Sequence, residues 1–559
     1  MQKTVWDTSL AIELSEDPDI TKQLLKKRGL TNKQADIFLK PDYDKGLTDP
    51  FELSGMSKAV ARIVQAINKK EKIVIYGDYD IDGLSSSALL YDAFDMMGVK
   101  VSLYIPDRFE EGYGLNSSAI EKLKEQKNDL IITVDCGTTA HLQAKTAKDV
   151  GIDLIITDHH EPDGGAPKGI VACVNPKLDK DSTLRDLAGV GVAFYLVRAI
   201  AKKTKLINSG QQKWLLDLVA LGTICDVVPL TNDNRVLASY GLRVLRKTRR
   251  QGLIALAENC AMDISSATET DLGFKIGPRL NAAGRLAHAK KALDLLTSSD
   301  AEEAKTIAFE LGELNSTRQA DTKSILAGCS EQAKKYKKDP ILVLSSPDWS
   351  HGVVGIVASK ISEKWHKPTI ILQELGELSK GSARSYGSFD IIAAIRSCEE
   401  FLESCGGHSF AAGLKLKTDR IQELRYRINQ YAIANMDAKN NFKTIQIGIK
   451  LATGAASIEV YDEINRLAPF GSGNKKPHFH SIYLVEQVRL VGSDASHLRL
   501  QLADSAGGKH IAIGFSMAST YRWLEAGQTI ELVFELSENI WQNRRSHQLE
   551  IIDIKLYEH

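Results

Sequence analysis

Residues 72–87 read KIVIYGDYDIDGLSSS. Lys72–Tyr76 is a short, nearly continuous apolar run, the pattern of a strand buried on both faces. A Gly/Asp loop follows, and a helix is predicted from about Ser86. Val99–Ile105, Leu130–Val134, Leu154–Thr157 and Ile170–Val174 repeat the strand reading, most of them separated by a helix-sized segment. Strands alternating with helices make a parallel sheet covered on both faces, and such sheets hold ligands beyond the carboxyl ends of their strands.

Asp78, Asp80 and Asp82 stand at alternate positions immediately beyond the first strand. Three carboxylates that close repel one another unless a cation neutralises them. A calcium loop of the DxDxDG kind needs a bidentate Glu at its twelfth position, and counting from Asp78 that position is Leu89, so this reading fails. Asp135 follows Leu130–Val134, and Asp158, His159 and His160 follow Leu154–Thr157. A fourth apolar run around Leu218–Leu221, read with the strands, leads to Asp226. Each alone could be a helix cap or a surface group. Together they bring oxygen and nitrogen ligands to one sheet edge, a set suited to two Mg²⁺ or Mn²⁺ ions. Two such ions bridged by one carboxylate activate water and stabilise charge at a phosphoryl centre.

Composition sets bounds but does not name a substrate. The 559 residues imply three or four domains, and 43% hydrophobic with 25% charged residues is ordinary for a globular protein. Lys plus Arg (71) equals Asp plus Glu (71), so any basic surface must be local. Seven scattered cysteines without a CxxC pair suit reduced thiols and argue against both a disulfide framework and a cysteine zinc site. The N-terminus has no basic-then-apolar signal and no window is apolar enough to span a membrane, so the expected location is cytoplasmic.

The chain divides into a helical segment (1–55), the acidic α/β domain (56–235), a helical connection (236–338) and a second α/β unit (339–440). A β-rich region (441–559) follows, in which five or six strands and a helix near Met517–Glu525 fit an OB-type barrel. Residues 445–559 hold 11 Lys plus Arg against 13 Asp plus Glu, a net of −2, so the barrel does not advertise DNA binding by charge. Lys475, Lys476, Arg499, Arg544 and Arg545 could still line a groove.

DxDxDG, the VDCGTT aspartate, the Asp-His-His triplet and the CDVVPL aspartate resemble the motifs of DHH-superfamily phosphoesterases. PRLNAAGRL (278–286), WSHGVVGIVASKI (349–361), GSARS (381–385) and GGHSFAAG (406–413) resemble the RecJ family of single-strand-specific 5′→3′ exonucleases. The likeness runs from about residue 25 to the C-terminus. It implies a DHH-type parallel-sheet domain joined by helices to a second α/β (DHHA1) domain, followed by an OB-type barrel.

The resemblance also implies roles. Asp135 would bridge two ions, one held with Asp78 and Asp80, the other with Asp82, His159 and Asp226. His160 would contact the scissile phosphate and Asp158 would orient an imidazole. Arg279 and Asn281, with Arg285 nearby, would bind the cleaved phosphodiester. Arg108, Ser382 and Arg384 would hold the DNA 5′ end, and His351 and His408 would touch substrate. The implied activity is hydrolysis of single-stranded DNA to mononucleotides in repair and recombination. The implied partners are single-strand-binding protein and a helicase; the expected state is a monomer. Two other readings are open: a small-substrate DHH phosphodiesterase, disfavoured by the chain length, and a replication scaffold with a decayed site, disfavoured by the complete ligand set.

Overall fold

The computed structural model describes residues 4–13, 19–107, 111–112, 114–208, 210–436, 444–451, 456–542 and 544–558. The N-terminal segment is not purely helical, as the sequence suggested. Two short strands, β1 (Val5–Asp7) and β2 (Ile12–Glu13), precede helices α1 (Ile20–Lys27) and α2 (Asn32–Leu39). Runs of two and three residues carry no readable alternation; their structure comes from pairing with a distant strand.

After α3 (Met56–Lys69), strand β3 (Ile73–Gly77) opens a five-stranded sheet with β4 (Ser102–Tyr104), β5 (Leu130–Val134), β6 (Asp153–Thr157) and β7 (Ala172–Val174). The order is β4-β3-β5-β6-β7 and every pairing is parallel. β4 and β7 are shorter than their apolar runs. Helices α4 (Ile81–Met96), α5 (Gly189–Lys203) and α6 (Leu216–Cys225) pack together in the same core. The Leu218–Leu221 run, read with the strands, is therefore part of a helix. A helix buried on all sides has the same uninterrupted apolar pattern as a central strand. The strand order reverses between β3 and β5, and the crevice there is where this architecture places its ligands.

PRLNAAGRL forms most of helix α7 (Gly277–Leu286), which continues a π-helical turn over Leu272–Ile276. The 35-residue helix α8 (Ala301–Lys335) buries a stripe from Ala304 and Ala308 through Leu311, Ile325 and Cys329 to Ala333 and leads to the second sheet. That sheet comprises β8 (Leu342–Ser346), β9 (Thr369–Leu375), β10 (Leu378–Arg384), β11 (Leu402–His408) and β12 (Ala411–Lys417), in the order β11-β12-β10-β9-β8. Helix α9 (His351–Trp365) crosses between β8 and β9, while GGHSFAAG makes the β11–β12 hairpin.

The C-terminal region is a closed five-stranded barrel of β14 (His478–Val491), β15 (His497–Ala503), β16 (Lys509–Gly514), β17 (Thr529–Trp541) and β18 (Arg544–Leu556), sealed by the β14–β17 pairing. β13 (Thr444–Lys450) lies outside it and pairs with β14 on one side and with β1 and β2 on the other. The N-terminal strands are thereby tied to the C-terminal β region. The helix expected at Met517–Glu525 is a series of turns; the region's helix is Ile458–Asn465. Among the described residues no helix is long and apolar enough to cross a membrane, and all seven cysteines are free thiols.

Candidate metal centre

The site begins where β3 ends. Asp80 caps α4, accepting the Gly83 amide at 3.1 Å, which turns the loop so that Asp78 and Asp82 are buried on either side of it. The Asp82 carboxylate rests on the N-terminus of α5, accepting the Gly189 amide at 2.6 Å and the Val190 amide at 2.8 Å. Asp135 follows β5 in a left-handed conformation (φ 60°), a backbone state that Asp tolerates better than most residues. Its amide is fixed to the Thr157 carbonyl at 3.0 Å.

His159 Nε2 lies 3.1 Å from Asp135 Oδ1, 3.6 Å from Asp226 Oδ2 and 3.7 Å from Asp82 Oδ2. The Leu187 carbonyl is a hydrogen-bond partner of the same imidazole. A proton on Nδ1 toward that carbonyl leaves Nε2 bare toward the carboxylates. Asp158 sits behind the cluster. It accepts the His159 and His160 amides at 2.7 and 3.1 Å, the Thr138 amide at 2.8 Å, and pairs with His160 Nδ1 at 2.7 Å. It is both a loop cap and the group that orients an imidazole, and that imidazole is His160.

The buried acids and imidazoles perturb one another strongly. Burial, then the charges of Asp226 and Asp80, push Asp82 well above the carboxylate range. Burial, then Asp82 and Asp80, do the same to Asp135. Burial and Asp80 push Asp226 up to about 7, while burial and neighbouring His160 hold His159 down at about 3. Burial would lower His160 too, but the Asp158 hydrogen bond and charge raise it to about 9. Asp135 Oδ1 is buried and accepts no hydrogen bond.

Three overlapping groups present ligand atoms close enough to share an ion: Asp78, Asp80 and Asp135; Asp82, His159 and Asp226; and Asp135, His159 and His160. A carboxylate cluster with an orphaned oxygen and a bare imidazole nitrogen fits divalent cations. Because Asp226 must be ionised to ligate, protons compete with the ion below about pH 7. The Mn²⁺ dissociation constant of the ion beside Asp226 should rise by about tenfold from pH 8 to pH 6, reading displacement of the Asp226 proton. Titration calorimetry tests this, and affinity that is flat over that range contradicts it.

The remaining expected residues are distributed around this centre. α7 packs on the acidic loop so closely that a Cβ on Gly284 would lie 3.0 Å from the Tyr79 carbonyl. On this helix Asn281 is half-buried, Arg279 donates to Asn259 Oδ1 and the Lys275 carbonyl at 2.9 Å each, and Arg285 reaches the Gly352 carbonyl at 3.3 Å. Two donors of Arg279 are thus already engaged by Asn259 and Lys275. His351 begins α9, its amide bound to Gln373. Ser382 and Arg384 stand beside Gly355 on that helix, within 3.4 Å of where its Cβ would be. His408 is exposed near Phe410 at the β11–β12 hairpin. Arg108 falls outside the described residues. On the barrel, Arg545 is engaged by Asp462 and Glu538, and Lys476 lies 3.8 Å from Glu535. Two of the five basic groups suggested for a groove are therefore already paired.

Sequence reasoning passed over Gly189 and Gly222. A Cβ on Gly189 would lie 2.6 Å from Asp135 Oδ1, and one on Gly222 would lie 2.7 Å from Asp82 Oδ1. The available signal was LAGVGVAF (187–194), small residues at a helix start that let amides and carboxylates meet.

Three family models match the chain: the DHH family N-terminal domain over residues 72–223, the DHHA1 domain over 338–434 and the RecJ OB domain over 447–553. The single-stranded-DNA-specific exonuclease RecJ of Bacillus subtilis is 38% identical over 556 residues, covering 98% of this chain and 69% of that protein. The protein of the same name from Haemophilus influenzae is 36% identical, covering 90% of this chain and 91% of that one. Among solved structures, RecJ from Thermus thermophilus in complex with Mn²⁺ superposes with a TM-score of 0.85 at 29% identity, over 99% of this chain and 80% of that chain. An exonuclease RecJ bound to manganese matches with a TM-score of 0.62 at 34% identity, over 70% of this chain and 98% of that one.

Proposed function

The chain belongs to the RecJ family of DHH phosphoesterases, and from that premise we propose that it degrades single-stranded DNA from the 5′ end to mononucleotides using a pair of divalent cations. It is a single-stranded-DNA-specific exonuclease whose cofactor is Mn²⁺ or Mg²⁺. The observation that carries the two-ion reading is the position of Asp135, whose carboxylate belongs both to the Asp78–Asp80 group and to the group around His159.

In this reading Asp78, Asp80 and Asp135 would hold one ion, and Asp82, Asp135, His159 and Asp226 the other. Bound cations supply Lewis acidity toward the phosphoryl group and its attacking water. The protein contributes orientation. The α5 amides fix Asp82, and the Leu187 carbonyl keeps the His159 Nε2 lone pair toward the acids. His160, cationic on Asp158, donates from its other nitrogen to a non-bridging phosphate oxygen. The contact of α7 with the acidic loop supports Asn281 and Arg279 as ligands of the cleaved phosphodiester, Arg279 exchanging Asn259 for it. Ser382 and Arg384 would take the 5′ phosphate with Arg108. Arg285, His351 and His408 would make the outer substrate contacts. Retention of the 5′ end by Ser382, Arg384 and Arg108 would make the enzyme enter from that end.

The same reading places the enzyme in DNA repair and recombination, as a cytoplasmic monomer that meets single-strand-binding protein and a helicase at its substrate. The test uses purified protein with Mn²⁺ and strands labelled at either end. It should shorten 5′-phosphorylated single strands and leave blunt duplex intact, and Arg384→Ala should raise KM for them by about tenfold, as for loss of one charged hydrogen bond. Equal digestion from 3′ ends contradicts the polarity.

A further inference from the structure

At the sheet edge beside the metal centre, two cations share one carboxylate. β7 ends at Val174, whose carbonyl holds the Asp158 amide at 3.1 Å. Asn175 follows, buried, donating to Thr138 Oγ1 at 2.7 Å and to the His160 carbonyl at 2.9 Å. Two residues on, in a short 3₁₀ turn, Lys177 directs its ammonium to Glu161 Oε1 at 3.4 Å. Arg185 reaches Glu161 Oε2 at 3.3 Å and the Lys177 carbonyl at 3.3 Å. Glu161 is the residue after His160, so the cluster borders the group that faces the phosphate. The Lys177 charge is felt at both His159 and Asp226.

We propose that Lys177 and Arg185 bind a backbone phosphate of the single strand as it enters the metal centre, and that Glu161 holds them until the strand displaces it. The inference rests on the single-strand exonuclease reading above. The physical case is one of competition. Glu161 is largely exposed, with 66% of its side chain open to water, and both contacts are longer than the 2.7–2.9 Å of strong charged hydrogen bonds. Exposed ion pairs of this kind are weakly held. A phosphodiester offers non-bridging oxygens to the same donors and can take the place of the Glu161 carboxylate between them. Arg185 suits a bidentate grip and Lys177 a point-charge contact.

A purely structural bridge and a phosphate station predict opposite signs for Glu161. The Mn²⁺-loaded full chain is assayed on 5′-phosphorylated oligothymidylate over a range of NaCl concentrations, as wild type, Lys177→Gln, Lys177→Arg, Arg185→Gln and Glu161→Gln. Lys177→Gln and Arg185→Gln should each raise KM by about five- to tenfold with kcat within twofold, and should flatten the slope of log KM against log salt by about one. Lys177→Arg should restore most of the affinity. Glu161→Gln, which frees both cations, should lower KM. If Glu161→Gln raises KM alongside Lys177→Gln, or the salt slope is unchanged in both cation variants, the cluster only braces the loop and the inference is overturned. Variants unaltered on a strand that wild type digests overturn this inference alone. A wild type that leaves the strand intact overturns the single-strand reading and this inference with it.

Discussion

Asp135→Asn leaves the protein folded and lowers its turnover of single-stranded DNA by on the order of 10³-fold, the scale seen when a group stabilising transition-state charge is removed. Asn is the informative replacement because it keeps the shape and tolerates the left-handed backbone (φ 60°) that this position adopts. Alanine there would mix a backbone penalty with the loss of the ligand. A sign distinguishes a ligand from a brace. Burial and the neighbouring acids raise the Asp135 pKa far above its unfolded value. Its ionised form therefore destabilises the metal-free fold at neutral pH, and an amide removes that penalty. The metal-free variant should melt at or above the wild-type temperature, while Mn²⁺ should stabilise the wild type much more than the variant. A variant that melts lower without metal, yet still gains fully from Mn²⁺, would show Asp135 to be a structural residue.

Gly189→Ala should be nearly as damaging although it removes no chemical group. The added methyl would stand 2.6 Å from Asp135 Oδ1 and 2.7 Å from Asp135 Cβ. The Gly189 amide meanwhile holds Asp82 at 2.6 Å, so Asp82 and the carboxylate proposed to join both ions would be displaced together. Overpacking of this kind costs about 1–3 kcal/mol of stability, and displacement of the ligands should lower activity by about 10²-fold or more. Gly273→Ala, whose added methyl meets nothing within 4 Å, is the control. Calorimetric Mn²⁺ binding with a melting curve separates the two losses. Full Mn²⁺ affinity in Gly189→Ala contradicts the close approach described here.

The residues proposed to carry the chemistry were readable because each stands at the end of an apolar run. Asp78, Asp80, Asp82, Asp135 and His159 all follow strands. Asp226 was found even though its run is a helix, because the inference depended on where the run ended, not on its secondary structure. The supports were harder to see. Gly189 and Gly222 act by what they lack, and only the folded packing shows which atoms come close. Asp158 gave two readings from sequence, cap and orienting group, and the geometry gives it both. Arg279 had the right chemistry, but its Nε and Nη1 donors go to Asn259 and the Lys275 carbonyl, which a motif cannot reveal. Lys177, Arg185 and Glu161 resemble any surface charges until the fold sets them beside His160. The tie between the N-terminus and β13 spans more than 400 residues and left no trace in a local pattern.

The central claim is that Asp135 joins two cations. Anomalous scattering from crystals soaked in Mn²⁺ tests it directly. Two peaks should flank the Asp135 carboxylate, one bounded by Asp78 and Asp80, the other by Asp82, His159 and Asp226. A single peak, or two peaks that both leave Asp135 uncoordinated, would contradict it.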